Sequence, residues 1–446
     1  MSSQAKYKTE PMKLWKKIKE FKQNHFQAYH DAHKNGKLRF LGSTALSISQ
    51  YSGFENAVIM GSEPFAANIA FWKDFGVKCM EECERRGMTR ELCGYSKCVW
   101  GAQFLNKNIL PNGTMLDEWG KPDFTSSFSL APCHCKWFQI LCENSDTPMY
   151  LFDLPKAYPY NDENVIEYMT GQMLDCIEQA EKAVGQPFID ELFIAGVKNE
   201  FRSYRTWCDI MLLNQAIPAP MDEKTIFSFI VPNLTKPYDA GTVEIMKELL
   251  EEVKDRVDRG IAAVANEQFR IITDAIPPWP ALELYRYLEK EYGGVVVGSP
   301  YVICLCGCWK FENDEGDLIP TPTPEELGMP LTTREEAARA LVWYRSHFST
   351  ETPYNIACGE VLHELTLKIA KQWKADGGML HQNIGCTMQA LGSMESRNAV
   401  AEAGIPCINY EGNDADPREI DLTNMKRKFD IFFEANGIKR LTRKAA

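Results

Sequence analysis

Short apolar runs recur between longer amphipathic stretches, and this alternation constrains the chain most. Residues 56–60 read NAVIM and stop at Gly61; residues 149–155 read MYLFDLP and stop at Pro155. FTSSFSLAP, residues 124–132, alternates apolar and polar positions, as a half-buried strand does. VVVGSPYVICLC (295–306) is strongly β-prone, and GMLHQNIGC (378–386) and IPCINYEG (405–412) repeat the pattern. Helical periods lie between these runs. Asn161 or Asp162 can cap a helix carrying Val165, Ile166, Met169, Met173 and Ile177. Residues 241–264 hold Val243, Met246, Leu250, Val253 and Val257 on one face. Leu284, Tyr285 and Leu288 follow the IPPWP break and precede a Gly293-Gly294 stop. Thr332 with Glu335 has capping-box spacing. Strands separated by helices pair in parallel, because the crossover returns each strand in the same direction. The expectation is α/β: two parallel-sheet units, at about 40–160 and 290–420, flanking a helical middle.

A chain of 446 residues, 45% hydrophobic, can build two to four cores. Its net charge of −12 argues against general nucleic-acid binding. Two stretches run against that sign. Lys13, Lys16, Lys17 and Lys19 alternate with Leu14, Trp15, Ile18 and Phe21, which predicts an amphipathic helix docked on the protein or a partner. The run from Lys426 to Lys444 reads as a solvated end. No apolar run approaches the roughly 20 residues of a membrane span, and the N-terminus lacks a signal-peptide core. A cytoplasmic protein is expected. The sequence contains no phosphate-binding G-x-x-x-x-G-K-[ST], no G-x-G-x-x-G after a strand, no C-x-x-C and no H-E-x-x-H.

Fifteen cysteines are many for a reducing compartment, where they stay thiols. Cys79 and Cys83 are four apart on a predicted helix and read as core. Cys142, Cys176, Cys208, Cys358 and Cys407 have no companions and read as packing. CLCGC would place Cys304, Cys306 and Cys308 on one side of an extended segment, roughly 7 Å apart. A buried strand face is the simpler reading there. Cys93, Cys133 and Cys386 differ, since each lies beside a turn at an expected sheet mouth, where doubly wound folds bind ligands. Such cysteines can hold an iron–sulfur cluster. A thiol nucleophile with a histidine partner is equally allowed.

Five segments in order carry a resemblance over most of the chain from about residue 40. They are ELCGYSK (91–97), PCHCKWFQ (132–139) with PMYLFDLP (148–155), IPPWPALELYRYLEKEYGGVVV (276–297), LHQNIGCTMQALG (380–392) and GIPCINYEGNDADPR (404–418). Together they resemble the family of 2-hydroxyacyl-CoA dehydratases and ATP-dependent benzoyl-CoA reductases, with the B-type reductase subunits nearest. The resemblance implies two flavodoxin-like domains with an added helical part. The division it suggests is a helical segment (1–40), a first α/β domain (41–160), a helical middle (161–289) and a second α/β domain with a C-terminal helix (290–446). It implies a [4Fe–4S] cluster held by Cys93, Cys133 and Cys386, with Cys135 as the alternative to Cys133. A larger cluster could also draw on Cys135 or the CLCGC thiols. Ile384 departs from the arginine that relatives often carry two residues before the third cysteine. His134 and His381 are candidate proton donors; Asp414, Asp416 and Arg418 read as structural ion pairs. The implied partners are benzoyl-CoA or a related acyl-CoA, a homologous iron–sulfur subunit, a separate ATPase activator and a ferredoxin donor. The implied activity is single-electron reduction of an aromatic ring to a cyclic dienoyl-CoA. The alternatives are dehydration of a 2-hydroxyacyl-CoA and a non-catalytic electron-relay subunit.

Overall fold

The computed structural model describes residues 5–43, 48–129, 132–155, 162–274, 276–312, 316–347, 360–386, 390 and 392–441, so Cys358 lies outside the described residues. Two four-stranded parallel sheets organise them. The first comprises β1 (Leu38–Gly42), β2 (Ala57–Gly61), β3 (Phe124–Phe128) and β4 (Met149–Phe152), in the order β2-β1-β3-β4. The second comprises β5 (Phe269–Ile272), β6 (Gly294–Gly298), β7 (Gly377–Asn383) and β8 (Cys407–Gly412), in the order β6-β5-β7-β8. Both sheets therefore share one winding: second, first, third, fourth. Winding reverses between the first and third strands, so the crevice of each unit opens there, beyond the C-terminal ends. This is the expected α/β class, met twice.

Side chains alternate along each strand. Phe40 and Ile59 accordingly enter one core, and Leu41 and Met60 the other. With both faces covered, β3 is buried at all five positions. FTSSF is thus not the half-buried strand its alternation predicts. Its polar side chains lie inside the fold, where Gln50 Nε2 donates to Ser126 Oγ at 2.9 Å.

Five helices surround the first sheet: α1 (Trp15–His30), α2 (Ser62–Phe71), α3 (Lys73–Arg85), α4 (Gly94–Leu105) and α5 (Pro132–Ser145). The middle is built from α6 (Glu163–Val184), α7 (Asp190–Leu213), α8 (Glu223–Phe229) and α9 (Ala240–Asp258). The second unit adds α10 (Glu283–Tyr292), α11 (Pro300–Cys304), α12 (Arg334–Arg345), α13 (Glu360–Gln372), α14 (Ser393–Glu402) and α15 (Leu422–Ala435). Asp162 caps α6, accepting from Asn164 N at 2.9 Å. The helix predicted over 241–264 ends at Asp258, and Gly260 takes φ +62°. α3 and α4 cross at backbone contact, since a Cβ on Gly101 would collide with the Cys79 backbone.

The docked reading of the basic N-terminal stretch agrees with α1. Ile18 is fully buried, worth roughly 1.5–3 kcal/mol, and Trp15 packs 5.1 Å from Phe229 between ring centroids. Lys17 meets Glu248 of α9 at 2.6 Å.

Four further expectations shift. The second sheet takes β5 from the stretch read as helical middle. CLCGC is not extended: Ser299 caps α11, Pro300 opens it, and the chain turns back at Gly307. Cys304, Cys306 and Cys308 are fully buried core residues instead. The capping box falls one residue later, on Thr333 and Glu336. The basic C-terminal stretch is no loose end within the described residues. α15 buries Phe429 and Phe433, and Arg440 pairs with Asp430 at 2.5 Å.

Candidate active site

Two helix starts meet at the first unit's mouth. Cys93 is the residue before α4, and Cys133 sits in the first turn of α5. α4 and α5 are locked side by side: Trp100 Nε1 donates to Trp137 O at 2.9 Å, and Gln103 Nε2 to Leu141 O at 2.8 Å. Their N-termini therefore open onto one spot, and the Cys93 and Cys133 side chains face each other. That contact, burial and the nearby Asp414 carboxyl push the Cys93 thiol well above the ordinary thiol range. Both residues sit at helix N-termini, where the helix dipoles favour negative charge.

Cys386 arrives from the second unit. It follows β7, the third strand there, as Cys133 follows β3, the third strand here. Gly385, at φ +89°, lets the loop close against the residues just before α4: a Cβ there would lie 3.1 Å from Glu91 O and from Leu92 O. Cys386 is buried. Gly94 presses from the other side, where a Cβ would lie 2.7 Å from Asn413 Oδ1 and 2.8 Å from Asp414 Oδ1. Asn413 Nδ2 donates to Ile384 O at 3.0 Å, which joins the 413–416 turn to the Cys386 loop. Among the described residues, no His, Cys, Asp or Glu group of three or more is gathered tightly enough for a single metal ion. Thiolates that ligate a polynuclear cluster bind separate irons and need no such tight gathering. Two thiols at two helix N-termini, with the Cys386 loop closing on the residues before α4, fit that donor chemistry.

Cys135 turns elsewhere, with its Sγ 3.9 Å from Phe128 O. Cys98 is fully buried in α4. Of the two histidines, His134 faces the site. Its Nε2 lies 3.2 Å from Glu63 Oε1, and Glu63 also accepts from Ser43 Oγ at 3.1 Å and Ser62 Oγ at 3.0 Å. His381 is a buried β7 residue outside the cavity lining. Its ring stacks on Tyr410 at 5.2 Å between centroids, and Nδ1 donates to Ile276 O at 2.8 Å. Burial pushes its pKa down to about 4, which keeps the imidazole neutral.

A cavity of about 1030 Å³ reaches Cys93, Glu63 and His134. Trp137, Tyr95, Trp279, Phe227 and Tyr301 wall it. Trp279 Nε1 donates to Tyr95 OH, and Trp279 N donates to Asp414 O at 3.1 Å, so the IPPWP segment is pinned to the site.

The terminal motif closes the back. Arg418 forks onto Asp416 and onto Glu84 of α3, with Nη1 3.0 Å from Glu84 Oε2. The ion-pair expectation describes Asp416 and Arg418. Asp414 is different: it is buried, it forms no salt bridge among the described residues, and burial pushes its carboxyl up to about 7 against the nearby Lys97 charge.

A family model described as 2-hydroxyglutaryl-CoA dehydratase, D-component, matches residues 60–435. The chain belongs to this family. It is 24% identical over 376 residues to the (R)-2-hydroxyisocaproyl-CoA dehydratase alpha subunit of Clostridioides difficile, covering 81% of each chain. It is 23% identical to the (R)-phenyllactyl-CoA dehydratase alpha subunit of Clostridium sporogenes, over 77% of this chain and 76% of that one. It is also 23% identical to the (R)-2-hydroxyglutaryl-CoA dehydratase subunit alpha of Acidaminococcus fermentans, over 70% of this chain and 60% of that one. These three relatives are named as dehydratase subunits. Among the described residues, no helix is long and apolar enough to cross a membrane.

Within this dehydratase family chain, Glu63 is the site residue that reading the sequence missed. It lies just past β2, at the C-terminal end of a strand, which is where doubly wound folds carry functional groups. NAVIM-G-S-E thus held a positional clue with no motif attached. Of the aromatic walls, Tyr95, Trp137 and Trp279 lie in the segments that carry the resemblance, whereas Phe227 and Tyr301 come from segments that carry no motif.

Proposed function

We propose that this chain is an iron–sulfur subunit of a 2-hydroxyacyl-CoA dehydratase. The supporting observation is the meeting of Cys93, Cys133 and the Cys386 loop at the end of a cavity that also holds Glu63 and His134. Cys93, Cys133 and Cys386 would hold a [4Fe–4S] cluster, which supplies one-electron chemistry when bound. The thiol protons leave as metal enters, so assembly is favoured at higher pH.

Dehydration needs a proton taken from carbon and a hydroxyl released as water. Glu63 and His134 form a hydrogen-bonded acid–base couple in a largely apolar cavity. Such a couple can accept one proton and deliver another without bulk water. Ser43 and Ser62 fix the Glu63 carboxylate and leave His134 as its mobile-proton neighbour. The aromatic walls exclude water from that exchange. The chain carries no phosphate-binding G-x-x-x-x-G-K-[ST], so a separate ATPase activator fed by ferredoxin would energise the electron. A homologous subunit would complete the complex.

The second reading is an aryl-CoA reductase subunit acting on benzoyl-CoA. The five-segment resemblance and the aromatic cavity walls favour it. Anaerobic assay of the complete complex separates the two. Water loss from a 2-hydroxyacyl-CoA with no net electron consumption supports the dehydratase. Net reduction of benzoyl-CoA, with no dehydration, overturns it. Electron transfer with neither conversion by this subunit's own cavity would make the chain a relay.

A further inference from the structure

α1 precedes residue 60, where the family match begins, yet it forms part of the substrate cavity wall. The cavity is larger than an acyl group needs, since pockets of roughly 300–1,000 Å³ take whole drug-sized ligands. Its lining changes character with depth. His134, Trp137, Tyr95 and Phe227 are buried; Lys19, Glu20, Asn24 and Arg286 are exposed at the mouth. Lys22 and Lys224, half-buried, also line it.

The carboxylates that line the mouth, Glu20 and Glu283, pair with cations other than Lys19, Lys22 and Lys224. Glu20 is 3.8 Å from Lys16, Glu283 is 2.9 Å from Lys426, and Arg286 is 3.9 Å from Glu289. Among the described residues, no carboxylate forms a salt bridge with Lys19, Lys22 or Lys224, although Glu289 lies within electrostatic reach of Lys224. Lys19 and Lys22 sit three residues apart on α1, a spacing at which like charges repel. Burial, and then the Lys19 charge, push the Lys22 ammonium below its ordinary pKa. A half-buried lysine held beside a like charge is compensated when an anion arrives. An apolar, aromatic chamber behind a cationic mouth matches a thioester of coenzyme A: apolar at one end, multiply phosphorylated at the other.

We propose that α1 is a nucleotide clamp, in which Lys19, Lys22 and Lys224 bind the phosphates of an acyl-CoA whose acyl group lies between Trp279 and Cys93. This rests on the acyl-CoA reading above and adds which residues hold the cofactor half. The lysines recognise phosphate, and the aromatic walls favour a bulky or aryl acyl group over a small polar one.

The test is equilibrium binding by calorimetry on the anaerobically purified full chain, with coenzyme A and with pantetheine, which lacks the phosphates. Replacing Lys19 and Lys22 by alanine should weaken coenzyme A about 10- to 100-fold, the loss of charged hydrogen bonds, and leave pantetheine unchanged. Lys22→Glu should weaken it further, and Lys16→Ala, on the solvent side, should not. Equal weakening of both probes, or no change with either, overturns the clamp. An unchanged thermal midpoint shows that the variants are folded. In the complete complex, turnover with a KM untouched by the double substitution refutes the clamp but not the reaction. Lysine-dependent binding by a complex that neither dehydrates nor reduces refutes the reaction but not the clamp.

Discussion

Gly94→Ala places one methyl group where the two units meet. Its Cβ would lie 2.7 Å from Asn413 Oδ1, 2.8 Å from Ala415 Cβ and 2.8 Å from Asp414 Oδ1. Ordinary contacts begin near 3.4 Å, so 0.6 Å or more of overlap must be relieved. Asn413 cannot move freely. Its Oδ1 accepts from Ala415 N and Asp416 N, both at 2.9 Å, and its Nδ2 holds Ile384 O. Overpacking costs about 1–3 kcal/mol, and displacing buried hydrogen bonds a similar amount, giving about 2–6 kcal/mol in all. The same displacement drags the Cys386 loop away from Cys93. Urea unfolding should show that loss of stability, and iron per folded chain should fall with it. Two controls bracket the result. A Cβ on Gly171, exposed in α6, would meet nothing within 4 Å, so Gly171→Ala should stabilise by about 0.5–1 kcal/mol. Gly101→Ala collides with the Cys79 backbone and should destabilise, yet the folded fraction should keep its iron because the 413–416 turn is untouched. A Gly94→Ala protein as stable and as iron-rich as the parent would refute the reasoning.

Cys133→Ser should lose iron while Cys135→Ser keeps it, since only Cys133 meets Cys93; metal analysis of both variants decides, and the reverse result would exchange the two ligands. Glu63→Gln should lower turnover by about 10²–10⁴-fold with iron content unchanged, because it removes a proton acceptor and not a ligand. Undiminished turnover would remove Glu63 from the acid–base couple. Burial raises the Glu223 carboxyl from 4.5 to about 7, against hydrogen bonds from Ser299, Thr273 and Tyr285. The folded state thus holds this proton more tightly than the unfolded one. Its stabilising share is full below pH 4.5 and is lost as pH rises through 7, by on the order of 3 kcal/mol. Urea titrations of the parent and Glu223→Gln should differ in slope over that window, and parallel curves would contradict the assignment.

The sheets were legible where runs end at Gly or Pro. NAVIM, MYLFDLP and IPCINYEG each contain a strand within a few residues of its read position. β5 escaped because FRII is four residues long and lies among polar neighbours in a helical stretch. CLCGC misled because β propensity continued past Gly298, whereas Ser299-Pro300 starts a helix. The thiols of Cys93 and Cys133 were legible as candidates from position alone, but their proximity depends on α4–α5 packing through Trp100 and Gln103. No spacing rule reports that contact. Glu63 was hidden for the opposite reason: it sits where function is expected but carries no motif.

Iron and acid-labile sulfide, measured on anaerobically purified protein and on its Cys93→Ala variant, test the central claim most directly. One cubane predicts about four of each per parent chain and near-complete loss in the variant. A parent chain that stays iron-free after anaerobic reconstitution, or a variant that retains the full complement, would contradict it.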